Sequence, residues 1–193
     1  MRIAPFLIAS LMMLGCSRLE KHDDWATEIA KAEYADLSKS VDDRTRRETR
    51  EFVKALLSLA RGQDIDRRFE GGNTLLTMAV SRGNDFVVRK LLSIDYYADV
   101  NVKNDKGEYP LLVAIERRNV EIVKMLLAAG SNLDVPDALG RTPLMAAMSS
   151  GKVEIVREIV AKKPNLMMKD QKGKTAGDYA LDSGNSKLIE LLK

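Results

Sequence analysis

The stretch Gly140-Arg141-Thr142-Pro143-Leu144-Met145-Ala146-Ala147 decides how most of this chain folds. A hydroxyl residue, a proline and then an apolar run describe a helix start. Thr142 can accept a bond from an N–H in the first turn, and Pro143 lacks only an N–H that would have no helical partner. The stretch has three echoes. They are Gly72-Asn73-Thr74-Leu75-Leu76-Thr77-Met78-Ala79, Gly107-Glu108-Tyr109-Pro110-Leu111-Leu112-Val113-Ala114 and the shorter Gly173-Lys174-Thr175-Ala176. Their opening glycines lie 35, 33 and 33 residues apart, and a fixed period of that length marks stacked repeats.

Each opening is followed at a fixed offset by a second apolar segment: Val87-Val88 with Leu91-Leu92, Ile122-Val123 with Leu126-Leu127, Ile155-Val156 with Ile159-Val160, and Leu188-Ile189 with Leu191-Leu192. The spacing i, i+1, i+4, i+5 makes one face of a helix. Gly83, Gly151 and Gly184 fall where the first helix must turn into the second, a place suited to left-handed backbone; Arg118 holds that place in the second unit, followed by Asn119. Ala79, Ala114, Ala147 and Ala180 recur where neighbouring units approach closely. Upstream, Phe52-Val53 with Leu56-Leu57 repeats the second helix, preceded by charged sequence where a first helix belongs.

Over residues 49–193 the chain resembles the ankyrin repeat, with Gly-x-Thr-Pro-Leu complete at Gly140 to Leu144 and partial in the other units. The turn at Gly130, Asn132 and Asp134 also fits. The resemblance implies an all-α solenoid of stacked antiparallel helix pairs joined by β-turn fingers. Its expected parts are a half-unit at 49–66, full units at about 67–101, 102–134 and 135–168, and a C-terminal cap at 169–193. The histidine common in the family's opening motif is replaced by Thr77, Leu112, Met145 and Gly177. By the same resemblance, partners are held by finger tips and the concave ends of first helices. This places partner contacts at Phe69, Glu70, Asn73, Asp105, Lys106, Glu108, Tyr109, Leu139 and Arg141 on the fingers, and at Ser81, Arg82, Glu116, Arg117, Ser149 and Ser150 on the helix ends. Gln171, Lys172, Lys174, Asp182 and Ser183 continue both rows. Phe69, Arg82, Tyr109, Arg117 and Arg141 are the expected anchors, since buried aromatic and arginine side chains dominate interfaces.

The N-terminus reads as an address. Met1-Arg2 precedes an apolar run over residues 3–14, then Gly15-Cys16. A basic start, about a dozen apolar residues and a small residue before a cut describe a signal peptide; a membrane span needs about 20. Cys16 resembles the lipidated cysteine of bacterial lipoproteins, although Met13 and Leu14 depart from the usual lipobox. The resemblance implies a signal at 1–15, a lipid on Cys16 and, from Ser17, an outer-membrane destination facing the periplasm. Simple cleavage and secretion, or an uncleaved anchor, are the alternatives. Residues 16–48 then form a partly helical tether, with Trp25, Ile29, Ala32 and Leu37 suggesting an amphipathic helix; alternatively Trp25 and Tyr34 dock as an extra cap.

Other function classes find little support. A net charge of +3 with no basic block excludes nucleic acid as the expected partner. One cysteine allows no internal disulfide, and the single histidine, His22, has no companion for a metal site. No catalytic motif occurs. Asp64/Asp66, Asp99/Asn101 and Asn132/Asp134 read as turn formers, and Met78, Met125, Met145 and Met148 as core filling rather than metal ligands. No cofactor and no enzymatic activity are expected. The expected role is a lipid-anchored module, monomeric when unbound, that holds one protein partner: a toxin, as an immunity protein, or an exported enzyme, as an assembly or protection factor. The alternative class is a periplasmic enzyme or small-ligand-binding protein. The loop Ser93-Ile94-Asp95-Tyr96-Tyr97-Ala98 is two residues longer than its counterparts, so its tyrosines either pack over the second helices or form a second contact site.

Overall fold

A computed structural model describes residues 24–37 and 42–192. The expected signal segment, Cys16 and His22 lie outside these residues. The described residues contain helices and turns and no strand. They divide into two compact units, one ending at Arg67 and the other beginning at Arg68.

The first unit is a packed helix pair, α1 (Asp24–Leu37) and α2 (Asp43–Ala60). In α1 the fully buried positions are Ala26 and Ala30; Trp25, Ile29 and Tyr34 are half-buried, and Ala32 is exposed rather than on the apolar face. The charged run at 42–48, read as tether, is helical. Asp42 caps α2 by accepting bonds from the Thr45 N–H (2.8 Å) and hydroxyl (2.7 Å), which hold its carboxyl below the usual carboxylate range. Arg44 and Glu48 pair one turn apart at 2.9 Å. Local capping and an i,i+4 pair therefore start the helix without any apolar residue. Its second half carries the expected buried set Phe52, Val53 and Leu56, with Leu57 half-buried.

The second unit repeats one device four times. Its first helices are α3 (Leu75–Arg82), α5 (Pro110–Glu116), α7 (Pro143–Ser150) and α9 (Ala176–Asp182). Its second helices are α4 (Asp85–Leu91), α6 (Val120–Ala128), α8 (Val153–Val160) and α10 (Ser186–Glu190). Each first helix packs on the next first helix and on its own second helix; the second helices pack on one another likewise, so the unit has two helical layers. Ala79, Ala114, Ala147 and Ala180 are all fully or almost fully buried along the first layer. Val87, Val88, Leu91, Ile122, Val123, Leu126, Ile155, Val156 and Ile159 fill the space between the layers. No single pair buries both its faces, so stacking supplies the core.

Of the methionines read as core, Met145 and Met148 are buried, whereas Met78 and Met125 are half-buried. Met125 shares its position in the repeat with exposed Lys90 and half-buried Glu158, on the outer surface of the second helices. The turns between units are tied by side chains. Asp99, Asn132 and Asn165 each accept the N–H two residues on, from Asn101 (2.8 Å), Asp134 (2.9 Å) and Met167 (3.0 Å). Asn101 and Asp134 then accept the N–H of Asn132 (2.9 Å) and Asn165 (3.1 Å) in the following unit.

First helices end in the left-handed conformation at Gly83, Arg118, Gly151 and Gly184, with φ of 68°, 55°, 71° and 63°. The Arg118 N–H donates to the Ile115 carbonyl and the Asn119 N–H to the Ala114 carbonyl, as Gly83 and Asn84 do to Val80 and Ala79. Asn119 caps α6 by accepting from the Ile122 N–H at 3.1 Å, so its role lies in the next helix. A non-glycine residue in this conformation costs about 1–2 kcal/mol, while glycine gives back about 0.4–1 kcal/mol through a freer unfolded chain. Arg118→Gly is therefore expected to stabilise the protein by about 0.5–1 kcal/mol, read as a higher urea midpoint with an unchanged slope.

Candidate binding face

The fingers join each unit to the next first helix. In all four, one residue donates its N–H to a carbonyl four residues on: Phe69 to Asn73, Asn104 to Glu108, Asp137 to Arg141 and Asp170 to Lys174, at 2.9–3.0 Å. In the last three the same residue's Oδ1 accepts two backbone N–H groups. Asn104 takes those of Lys106 and Glu108, Asp137 those of Leu139 and Arg141, and Asp170 those of Lys172 and Lys174, all at 2.8–3.0 Å. These three residues build the fingers and are absent from the sequence-predicted set. Their signal is an Asn or Asp three residues before Gly107, Gly140 and Gly173. Phe69 holds that position in the first finger and has no carbonyl oxygen in its side chain. There the chain closes through the 3-10 turn Glu70–Gly72, with Gly71 and Gly72 both left-handed.

The first finger is bonded to the second, and the third to the fourth. The Asp105 N–H donates to the Gly71 carbonyl at 2.9 Å, and the Gln171 N–H to the Leu139 carbonyl at 3.2 Å. Asn104 Nδ2 bridges Glu108 Oε2 (2.8 Å) and Asn73 Oδ1 (3.1 Å). Arg68 donates to the Lys103 carbonyl (2.8 Å) and lies 3.4 Å from Asp105. A Cβ on Gly72 would meet only the Asp105 carboxyl and the end of Arg68, exposed side chains that can swing aside, so its left-handed φ of 68° is what calls for glycine.

The predicted contact residues fall into two sets. Glu70, Arg82, Asp105, Lys106, Glu116, Arg117, Leu139 and Ser149 are exposed, Leu139 at 55%. Phe69, Asn73, Ser81, Glu108, Tyr109, Arg141 and Ser150 are half-buried. Several of this second set hold the face together. Arg141 is paired with Asp137 at 2.7 Å, Asn73 and Glu108 serve the Asn104 bridge, and the Ser150 hydroxyl donates to the Ala147 carbonyl at 2.7 Å. Ser81 accepts from Arg117 at 3.2 Å, which ties adjacent helix ends into one row. The last finger and helix end are joined by Lys174 and Asp182 at 2.6 Å. Among the described residues no group of three His, Cys, Asp or Glu side chains is placed to hold a metal.

The last finger is also tied to α9. The Tyr179 hydroxyl donates to Asp170 Oδ2 at 2.7 Å. That bond, with the Lys174 and Lys172 N–H groups, holds the Asp170 carboxyl below the usual carboxylate range, while burial and Asp170 push the tyrosine up. A carboxyl lowered by folding contributes stability that is complete above the ordinary carboxylate value and is lost as pH falls through the lowered one. Asp170→Asn should keep both backbone bonds, as Asn104 does in its finger, and flatten the acid limb of a plot of melting temperature against pH. Asp170→Ala should lower the melting temperature at neutral pH as well.

The family model for ankyrin repeats (3 copies) matches residues 45–137 and 111–193. No curated protein matches the chain. The ankyrin repeat is a protein–protein interaction module. Together with the repeated helix pairs and bonded fingers, the match makes this chain a member of the ankyrin-repeat family.

Proposed function

We propose that the protein is a lipid-anchored, periplasm-facing lipoprotein that holds one protein partner on its fingers and concave first-helix ends. The observation that carries the reading is the exposed row at those ends. Arg82 and Arg117 stand at one place of successive units and Glu116 and Ser149 at the place before it, and the Arg117–Ser81 bond holds two units in line. Such a row is pre-organised, so a partner does not have to order it on binding. The exposed Leu139 and the half-buried Phe69 and Tyr109 offer apolar contact beside the charges. The apolar segment at 3–14 and Gly15-Cys16 support the anchor, and two or more acyl chains hold a protein where one is marginal.

Within this reading the role we favour is immunity: a tethered, rigid face that blocks an incoming toxin at the periplasmic side of the outer membrane. Protection or assembly of an exported enzyme is the second role. A catalytic role finds no support in the described face, whose polar groups are mostly spent on one another.

Two experiments test the parts separately. Cys16→Ser should move the protein from the membrane to the soluble fraction after cell lysis; membrane retention unchanged from wild type would overturn the anchor. Arg82→Glu with Arg117→Glu should reduce capture of the partner at least about a hundredfold, by roughly 1.4 kcal/mol for each arginine, with the thermal melt unchanged. Full capture by that variant would remove the concave face from the proposal. Protection of cells against a toxin encoded beside the protein, lost in the same variant, would identify immunity.

A further inference from the structure

The repeat supplies its own controls, and one patch departs from them three times. Phe86 on α4 is 49% exposed, yet the equivalent places in the other units hold exposed charged residues, Glu121, Glu154 and Lys187. The loop after α4 is two residues longer than its counterparts and carries Ile94, 76% exposed. Tyr97, 69% exposed, puts an aromatic side chain at a left-handed place (φ 50°) that Gly130 and Lys163 hold in the following units. Phe86 and Lys90 are one turn apart on α4, and Ile94 follows one turn later in the 93–97 loop, whose turn is closed by the Tyr97 N–H on the Ser93 carbonyl. An exposed aromatic, an exposed isoleucine and a strained tyrosine thus gather on the side of the second helices, away from the fingers. None fills a core.

The charges beside this patch indicate what covers it. Arg89 is paired with Glu121 at 3.9 Å. Lys90 is exposed and lies 5.9 Å from the centre of the Phe86 ring. Asp95 is exposed and has no ion-pair partner among the described residues. Among the described residues the patch therefore carries one cation, Lys90, and one anion, Asp95, that are in no ion pair, beside an apolar centre. Such a surface is self-complementary: about a two-fold axis, Lys90 of each copy meets Asp95 of the other while the apolar side chains meet at the middle. We propose that the Phe86–Ile94–Tyr97 patch docks a second copy of this chain, against the expectation of an unbound monomer. The small patch makes the association weak and reversible, and it leaves the fingers open. The proposal does not rest on the identity of the partner held at the fingers.

Sedimentation equilibrium of the full chain tests it. A reversible monomer–dimer equilibrium is expected for wild type, and a monomer for Ile94→Glu with an unchanged thermal melt, since that side chain is exposed. Lys90→Asp and Asp95→Lys should each weaken the dimer about tenfold, each broken pair counting twice across the axis. The double variant Lys90→Asp/Asp95→Lys should restore it, which association through the N-terminal apolar segment would not do. A monomer at every concentration, a dimer indifferent to Ile94→Glu, or no rescue by the double variant would overturn the proposal. So would a wild-type monomer whose binding to phosphatidylethanolamine/phosphatidylglycerol vesicles is lost in Ile94→Glu, which would assign the patch to a lipid surface.

Discussion

The structure of residues 68–192 depends on how closely one first helix can approach the next. Ala79, Ala114, Ala147 and Ala180, each almost fully buried, recur along that approach and keep it close with a side chain of one methyl group. Once the distance is common to every unit, the rest repeats in step. The second helices fall into a second layer, the left-handed ends recur at Gly83, Arg118, Gly151 and Gly184, and the fingers arrive side by side at bonding distance. A larger residue in the alanine row would overfill a packed layer and shift every bond between the units on either side of it.

The binding face follows from this periodicity, with polar groups spent in a definite order. Backbone groups of each finger are satisfied first, by Asn104, Asp137 and Asp170. Bonds between fingers and between helix ends come next, through Asn104, Arg68, Gln171 and Arg117. What remains exposed, including Glu116, Lys106, Leu139 and Ser149, is available for contact. This division separates most residues that shape the face from those that can meet a partner, with exposed Arg117 serving both, although the two kinds occur at neighbouring positions of one motif.

Much of this was legible in the residues alone, because the signals are local. Thr142 and Pro143 announce a helix start, and Thr142 does accept the Met145 N–H. Gly83, Gly151 and Gly184 announce left-handed ends, and the alanines announce close approach. The Asn and Asp residues that build three of the fingers stand three residues before Gly107, Gly140 and Gly173, but that spacing did not single them out, because their purpose shows only when two backbone N–H groups converge on one oxygen. The start of α2 was harder to read because Asp42, Thr45, Arg44 and Glu48 make a helix from charged and polar residues, which lack the apolar period that identifies helices in a sequence. In α1 small alanines, rather than the larger Trp25 and Ile29, take the fully buried places, since the packed helix α2 leaves room for little else there.

The residues alone specify the family, the phase of the four helix pairs after Arg68 and their turn chemistry, because each depends on neighbours within one period of the chain; the pairing of α1 with α2 shows only in the fold. Which side chains are spent and which are exposed is likewise a matter of packing. Arg141 and Leu139 look equally available on a finger, yet Arg141 is half-buried against Asp137 while Leu139 faces water. Met148 and Met125 look equally apolar, yet only Met148 lies where two layers close over it. Burial is a property of what arrives from elsewhere in the chain, and that is settled by stacking rather than by any local pattern.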